Sequence, residues 1–142
     1  MSDDLQVFVD TNILVYAFDA SDEERQERAE RALVPLFEED RIRLSTQVLQ
    51  EFYVTMTRKV GRPWSSEEAL GVLDDLASWP LVVVDYDLIR ESVLLSDEAT
   101  LSFWDALIVS AAARSGAEIL FTEDMNDGQV VRGIRVSNPM MA

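Results

Sequence analysis

Four carboxylates, Asp10, Glu51, Asp105 and Asp124, stand where an α/β chain could gather acids on one rim. Asp10 follows the apolar run Val7-Phe8-Val9, and Asp124 comes just after Leu120-Phe121-Thr122. Both therefore lie beyond the carboxyl ends of predicted strands, where open α/β sheets place their ligand crevice. Glu51 borders the apolar stripe of a predicted helix, and Asp105 falls on the first turn of another. Each acid also has a structural alternative: Asp10 as a turn or cap, Glu51 reaching to solvent, Asp105 pairing with Ser102 in a helix cap, Asp124 as a loop acid. Asp124, Asn126 and Asp127 do not make a calcium loop, because the required glycine and closing glutamate are missing. Gathered together, the acids would repel one another and raise some of their pKa values, so the cluster calls for an ion. Its all-oxygen donors select Mg²⁺ or Mn²⁺, and the chemistry that follows is metal-assisted hydrolysis.

The rest of the composition narrows the chemistry further. The chain has no cysteine and no histidine. Thiol nucleophiles, disulfides, zinc-thiolate sites, Ser-His-Asp mechanisms and imidazole acid/base are thereby excluded. The net charge of −15 opposes nonspecific binding of a polyanion as a bulk field, unless arginines are local to a groove and divalent cations neutralise the acids. The alternative meaning of that charge is solubility. No secretory-signal pattern and no run of ~20 apolar residues is found, so the chain reads as soluble and cytoplasmic. Its 142 residues, 48% hydrophobic, suit a single domain over 1–142.

Short apolar runs alternate with helical patterns, which predicts an α/β fold with a central parallel sheet of about five short strands. The strand candidates are Leu5 to Val9, Ile42 to Leu44, Leu81 to Val84, Ile119 to Phe121 and Ile134 to Val136. Ser21 with Glu24 and Ser65 with Glu68 read as capping boxes opening two helices. A third helix begins near Thr46 and ends before Gly61 and Pro63, and Asp87 is a candidate cap for a fourth. The segment from Phe103 to Ser115 is apolar nearly all round, the mark of a central helix, with Gly116 as its stop.

In this setting four segments resemble the PIN domains, and among them the VapC-type toxins of toxin–antitoxin pairs. They are Phe8-Val9-Asp10-Thr11-Asn12-Ile13-Leu14, Ser45-Thr46-Gln47-Val48-Leu49-Gln50-Glu51-Phe52, Leu101-Ser102-Phe103-Trp104-Asp105-Ala106-Leu107-Ile108 and Leu120-Phe121-Thr122-Glu123-Asp124. Each is weak alone; their order and spacing over nearly the whole chain are specific. The resemblance implies a three-layer α/β/α PIN-like fold and a catalytic metal site built from Asp10, Glu51, Asp105 and Asp124. It also implies that Asn12 and Thr122 orient those carboxylates and that Asp127 is an outer ligand or a loop acid. Thr11 and Asn12 have the alternative of capping the next helix. The implied activity is Mg²⁺- or Mn²⁺-dependent endonucleolytic cleavage of RNA, leaving a 5′-phosphate and a 3′-hydroxyl. The implied partners are an RNA substrate, a cognate antitoxin presenting basic residues and a second copy of the chain.

Eleven of the twelve basic residues are arginine, and Arg41, Arg43, Arg58, Lys59 and Arg62 cluster in sequence as candidate RNA contacts, with solvated surface charge as the alternative. Trp64, Trp79 and Trp104 offer base-stacking faces or core packing, and Trp104 adjoins Asp105. A receiver domain needs a lysine at a strand end, and the only lysine here is Lys59 on a predicted helix. A haloacid-dehalogenase-like phosphatase needs a second aspartate where Asn12 stands. The rival readings are a catalytically silent PIN-fold binding module and a PIN nuclease acting outside a toxin pair.

Overall fold

The computed structural model describes residues 5–141. Strand β1 (Val7–Val9) is buried throughout, as a continuous apolar run must be when both faces of a sheet are covered. It leads into α1 (Thr11–Phe18) and α2 (Glu23–Glu38), then β2 (Ile42–Ser45), α3 (Thr46–Arg58) and α4 (Ser66–Leu76). The chain continues through β3 (Leu81–Val82), α5 (Tyr86–Ala99), α6 (Phe103–Arg114), β4 (Ile119–Phe121), β5 (Val130–Val131) and β6 (Ile134–Ser137). The described residues form one six-stranded sheet in the order β3-β2-β1-β4-β6-β5, parallel except for the β5–β6 pair.

That order has a functional consequence. The chain lays β2 and β3 outward on one side of β1, then returns to place β4 on its other side. The gap between the carboxyl ends of β1 and β4 is the topological switch point, where connections leave in opposite directions and a crevice opens. Residues 10 and 122 are the first beyond the two strands, and the Asp10 amide still donates to the Phe121 carbonyl at 2.9 Å.

Helices α1 to α4 pack as one group and α5 with α6 as another, with α6 lying against β2, β4 and β6. Every residue from Ala106 to Ala112 is buried, as its all-round apolarity requires. No helix among the described residues is long and apolar enough to cross a membrane.

Several local expectations are corrected. The sheet has six strands rather than about five, because Val130–Val131 folds back on β6 through Arg132 and Gly133, both at positive φ (52° and 76°). This is the geometry of a two-residue hairpin turn in which both central residues are left-handed. Its sequence, Arg-Gly, lacks the usual Asn or Asp that flags such a turn. Helix α2 is capped by Asp22, which accepts from the Arg25 amide, while Ser21 is drawn to Asp19. Helix α5 is capped by Asp85 instead of Asp87. Strand β3 stops two residues before Val84, whose amide donates to the Thr46 hydroxyl at 3.1 Å. The Ser65–Glu68 capping box forms as expected, and Ser102 caps α6 by accepting from the Asp105 amide.

Gly116 ends α6 with φ of +81°, and its amide and that of Ala117 bond back to the carbonyls of Ala113 and Ala112. The paired return bonds need a left-handed residue at that point. No atom lies within 4 Å of where a Cβ would stand, so substitution there tests the backbone alone. Gly116→Ala is expected to lower stability in urea titrations by about 1 kcal/mol, and Gly116→Asn by less. Equal stability of Gly116→Ala and the parent would show that the cap is not held in this conformation.

Candidate active site

Asp10 is the floor of the site. Only 6% of it is exposed, and it caps α1 with one carboxylate oxygen, accepting from the Thr11 amide at 2.7 Å. Its other oxygen accepts from the hydroxyl of the fully buried Thr122 at 2.7 Å. The same hydroxyl oxygen accepts from the Asp124 amide at 3.1 Å, so one threonine ties the first acid to the loop that carries the last. Thr11 reaches the other way, its hydroxyl donating to Glu51 Oε1 at 2.7 Å. Through these two threonines α1, α3 and the loop after β4 are held around a single cleft.

The cleft has a volume of about 580 Å³ and is lined by Asp10, Glu51 and Asp124 together with Thr11, Asn12, Val15, Tyr16, Gln50, Val54, Thr55 and Lys59. Burial pushes the Asp10 carboxyl up to about 6, against the lowering effect of the Thr122 and Thr11 hydrogen bonds, and the charges of Asp124 and Glu51 add to the rise. Asp105, half-buried at the start of α6, is raised chiefly by burial; the Ser102 cap opposes this and the Asp124 charge adds to it. The fourth acid thus stands within the field of the third without lining the cleft itself.

Among the described residues no group of three acids stands ready to hold a metal ion. The donors nevertheless suit a hard divalent cation that keeps several waters and takes only one or two carboxylates. Each Asp10 oxygen carries one hydrogen bond, which leaves a carboxylate with further acceptor capacity in a place where its charge is uncompensated. Asp10, Glu51 and Asp124 are the side chains that could take an ion in the cleft, with Asp105 beside them.

The remaining sequence candidates fall in different places. Asn12 lines the cleft and accepts from the Ile13 amide at 2.8 Å. Asp127 accepts from the Asn138 amide at 2.8 Å and does not line the cleft. Arg41 immediately precedes β2 and Arg43 lies within it; Arg41 bonds Glu39 and the Leu5 carbonyl and Arg43 the carbonyls of Asp40 and Ile42. They are spent locally and do not line the cleft. Arg58 is exposed at the end of α3. Trp104 is 63% exposed against Phe103, whereas Trp64 packs on Phe18 and Phe52, and Trp79 on Phe37.

Sequence reasoning missed the walls. Tyr16 donates to Glu123, and burial, followed by that bond, pushes its hydroxyl up to about 12. Val15 and Tyr16 on α1, and Val54 and Thr55 on α3, follow Thr11, Asn12, Gln50 and Glu51 by one helical turn. The spacing that could have found them, four residues on from each polar position, becomes visible once residues 11–18 are read as a helix.

The sheet order, the switch-point acid and the carboxylate cleft define an α/β protein with a cleft of oxygen donors beside its central strands. The sequence pattern of the PIN domain matches residues 7–127, and the chain belongs to the PIN domain family. Among solved structures it resembles a toxin–antitoxin complex from Klebsiella pneumoniae, with 23% identity and a TM-score of 0.69 over 94% of this chain and 98% of that one. It also resembles VapC20 of Mycobacterium tuberculosis, described as a sarcin–ricin-loop-cleaving toxin, with 21% identity, TM-score 0.61, and 84% and 90% coverage. A third is the DNA-bound VapBC of Salmonella typhimurium, with 18% identity, TM-score 0.61, and 95% and 98% coverage. These likenesses establish the shared fold. No curated protein matches the chain.

A carboxyl whose pKa is raised on folding binds its proton more tightly in the native state, so the contribution of Asp10 to stability is highest at low pH and falls as pH rises from about 4 through about 6. In chelator at neutral pH the ionised Asp10 therefore costs stability, on the order of 3 kcal/mol. Asp10→Asn is expected to unfold at higher urea concentration than the parent at pH 7.5 and to lose most of this slope. A variant less stable than the parent at pH 7.5, with the slope intact, would contradict the assignment.

Proposed function

We propose that this chain is a metal-dependent endoribonuclease, the toxin of a toxin–antitoxin pair. The observation that carries the reading is the buried Asp10 at the switch point, raised to about 6 and facing Glu51 and Asp124 across one cleft. An uncompensated carboxylate there is costly for folding, and a divalent cation would turn that cost into affinity. Asp10, Glu51, Asp105 and Asp124 would hold Mg²⁺ or Mn²⁺. The chemistry such an ion supplies is acidification of a water and charge offset at a phosphoryl oxygen, which suits a chain without histidine.

The protein's own groups do the arranging. Thr122 and Thr11 fix the rotamers of Asp10 and Glu51 by hydrogen bonding, and Asn12 borders them. Val15, Tyr16 and Val54 give the cleft an apolar wall that strengthens electrostatic interactions inside it. Hydrolysis by water in this setting leaves a 5′-phosphate and a 3′-hydroxyl. Arg58 and the exposed face of Trp104 are the RNA contacts retained from the sequence candidates.

Two structural neighbours support the toxin reading: one is a toxin–antitoxin complex and another a toxin that cleaves the sarcin–ricin loop. A basic antitoxin segment would complement the net charge of −15. Tyr86, Ile89 and Val93, exposed on one face of α5, offer an apolar surface on which a second copy would sit.

Purified chain incubated with total cellular RNA and Mg²⁺ or Mn²⁺ should give discrete new 5′ ends. They should vanish in chelator and in Asp10→Asn or Asp124→Asn. Thr122→Val should slow cleavage about 10- to 100-fold, as loss of a hydrogen bond that orients a metal ligand does, while Thr122→Ser stays near the parent. No cuts from folded, metal-binding protein would replace the nuclease with a silent antitoxin-binding module.

A further inference from the structure

Lys59 is the one basic side chain that lines the acidic cleft, and it is the only lysine in the sequence. Most of the arginines are already engaged. Arg25, Arg31, Arg41, Arg114 and Arg132 pair with carboxylates, and Arg28 and Arg43 donate to backbone carbonyls. Lys59 makes no ion pair among the described residues, although the chain carries 27 acids. A free ammonium is thus kept in the wall of a cleft whose other charges are negative.

Its distance from the acids defines its task. Glu51, Thr55 and Lys59 are successive i, i+4 positions along the α3 wall, ending at the residue that caps the helix. Eight residues of helix put Lys59 about 12 Å beyond Glu51 along the axis. The ammonium therefore enters the wall displaced along α3 from the acids, a place suited to another phosphate of the same strand. Thr55, one turn nearer and also in the wall, supplies a hydroxyl donor beside it.

We propose that Lys59, with Thr55, is an RNA-backbone subsite that holds a phosphate neighbouring the one cleaved, and so sets how the strand lies in the cleft. The inference rests on the nuclease reading above and deepens it. Lysine is suited to this role because a flexible point charge follows a backbone without demanding one geometry. The alternative is a plain structural one: a cation at a helix carboxyl terminus interacts favourably with the helix dipole.

The test compares the parent with Lys59→Gln, Lys59→Arg and a control, Arg90→Gln, which removes one exposed charge from α5 away from the cleft. Binding of a short labelled single-stranded RNA of mixed sequence is followed by anisotropy across a salt series, beside cleavage kinetics on total cellular RNA. Lys59→Gln should weaken binding about five- to tenfold and flatten the log–log salt slope by about 0.7, raising KM with kcat retained. Lys59→Arg should restore the slope, and Arg90→Gln should leave it at the parent value. A dipole role alone would lower thermal stability in Lys59→Gln and leave the slope unchanged, which overturns the subsite while the nuclease stands. Equal losses in Lys59→Gln and Arg90→Gln would overturn it as well, by showing a general charge effect. A parent chain that neither binds nor cleaves RNA would take down the nuclease reading and the subsite together.

Discussion

The hydrogen bond from Thr122 to Asp10 is the contact on which the site depends. It joins the first residues beyond two adjacent parallel strands, β1 and β4, and both partners are buried. Because β1 and β4 are paired in register from Val7–Ile119 to Val9–Phe121, the side chains that follow them are delivered to the same place. The amide of Asp124 then closes on the same hydroxyl, so the loop acid inherits the position of the sheet. A carboxylate in such a place is disfavoured by desolvation and by its acidic neighbours. Its retention makes sense where charge compensation arrives with a ligand, and a stable fold with a destabilised site is the form that function then takes.

The second organising feature is the pair of walls. Helix α1 begins at Asp10 itself, which serves as both cap and site acid, so the entry of the helix and the position of the carboxylate cannot be changed separately. Helix α3 begins at Ser45, directly at the end of β2, and carries Glu51, Thr55 and Lys59 down the opposite wall. The cleft therefore runs from acid at the sheet edge to base at the helix end. A single lysine does not reverse the field of three lining acids, so the proposed binding of RNA by a chain of net charge −15 depends on divalent cations as well.

Much of this was legible in the residues. The strand runs around Val7, Ile42, Leu81, Ile119 and Ile134 and the central helix from Phe103 were readable because buried parallel strands and a buried helix leave continuous apolar signatures. Asp10 and Asp124 were readable for the same reason, since each stands just beyond such a run. The helix of residues 11–18 showed only as a capping alternative at Asp10, Thr11 or Asn12, because its cap is also the site acid and its eight residues are too few to display a clear period. The hairpin of Val130–Val131 hid behind an Arg-Gly turn and two-residue strands. Arg41 and Arg43 looked like one cluster with Arg58 and Lys59, yet β2 and α3 carry them to different places, since sequence proximity ignores the direction of the chain. Charge alone could not say which cation would stay free.

The proposed function requires the buried carboxyl of Asp10 to be a cation ligand. Calorimetric titration of Mn²⁺ into the metal-free chain at pH 6, repeated in buffers of different ionisation enthalpy, measures this directly, because binding must displace the proton that Asp10 holds near that pH. Saturable binding with a fraction of a proton released per ion is expected, with neither binding nor release in Asp10→Asn. Binding of equal affinity in Asp10→Asn, or no binding by the parent chain, would contradict it.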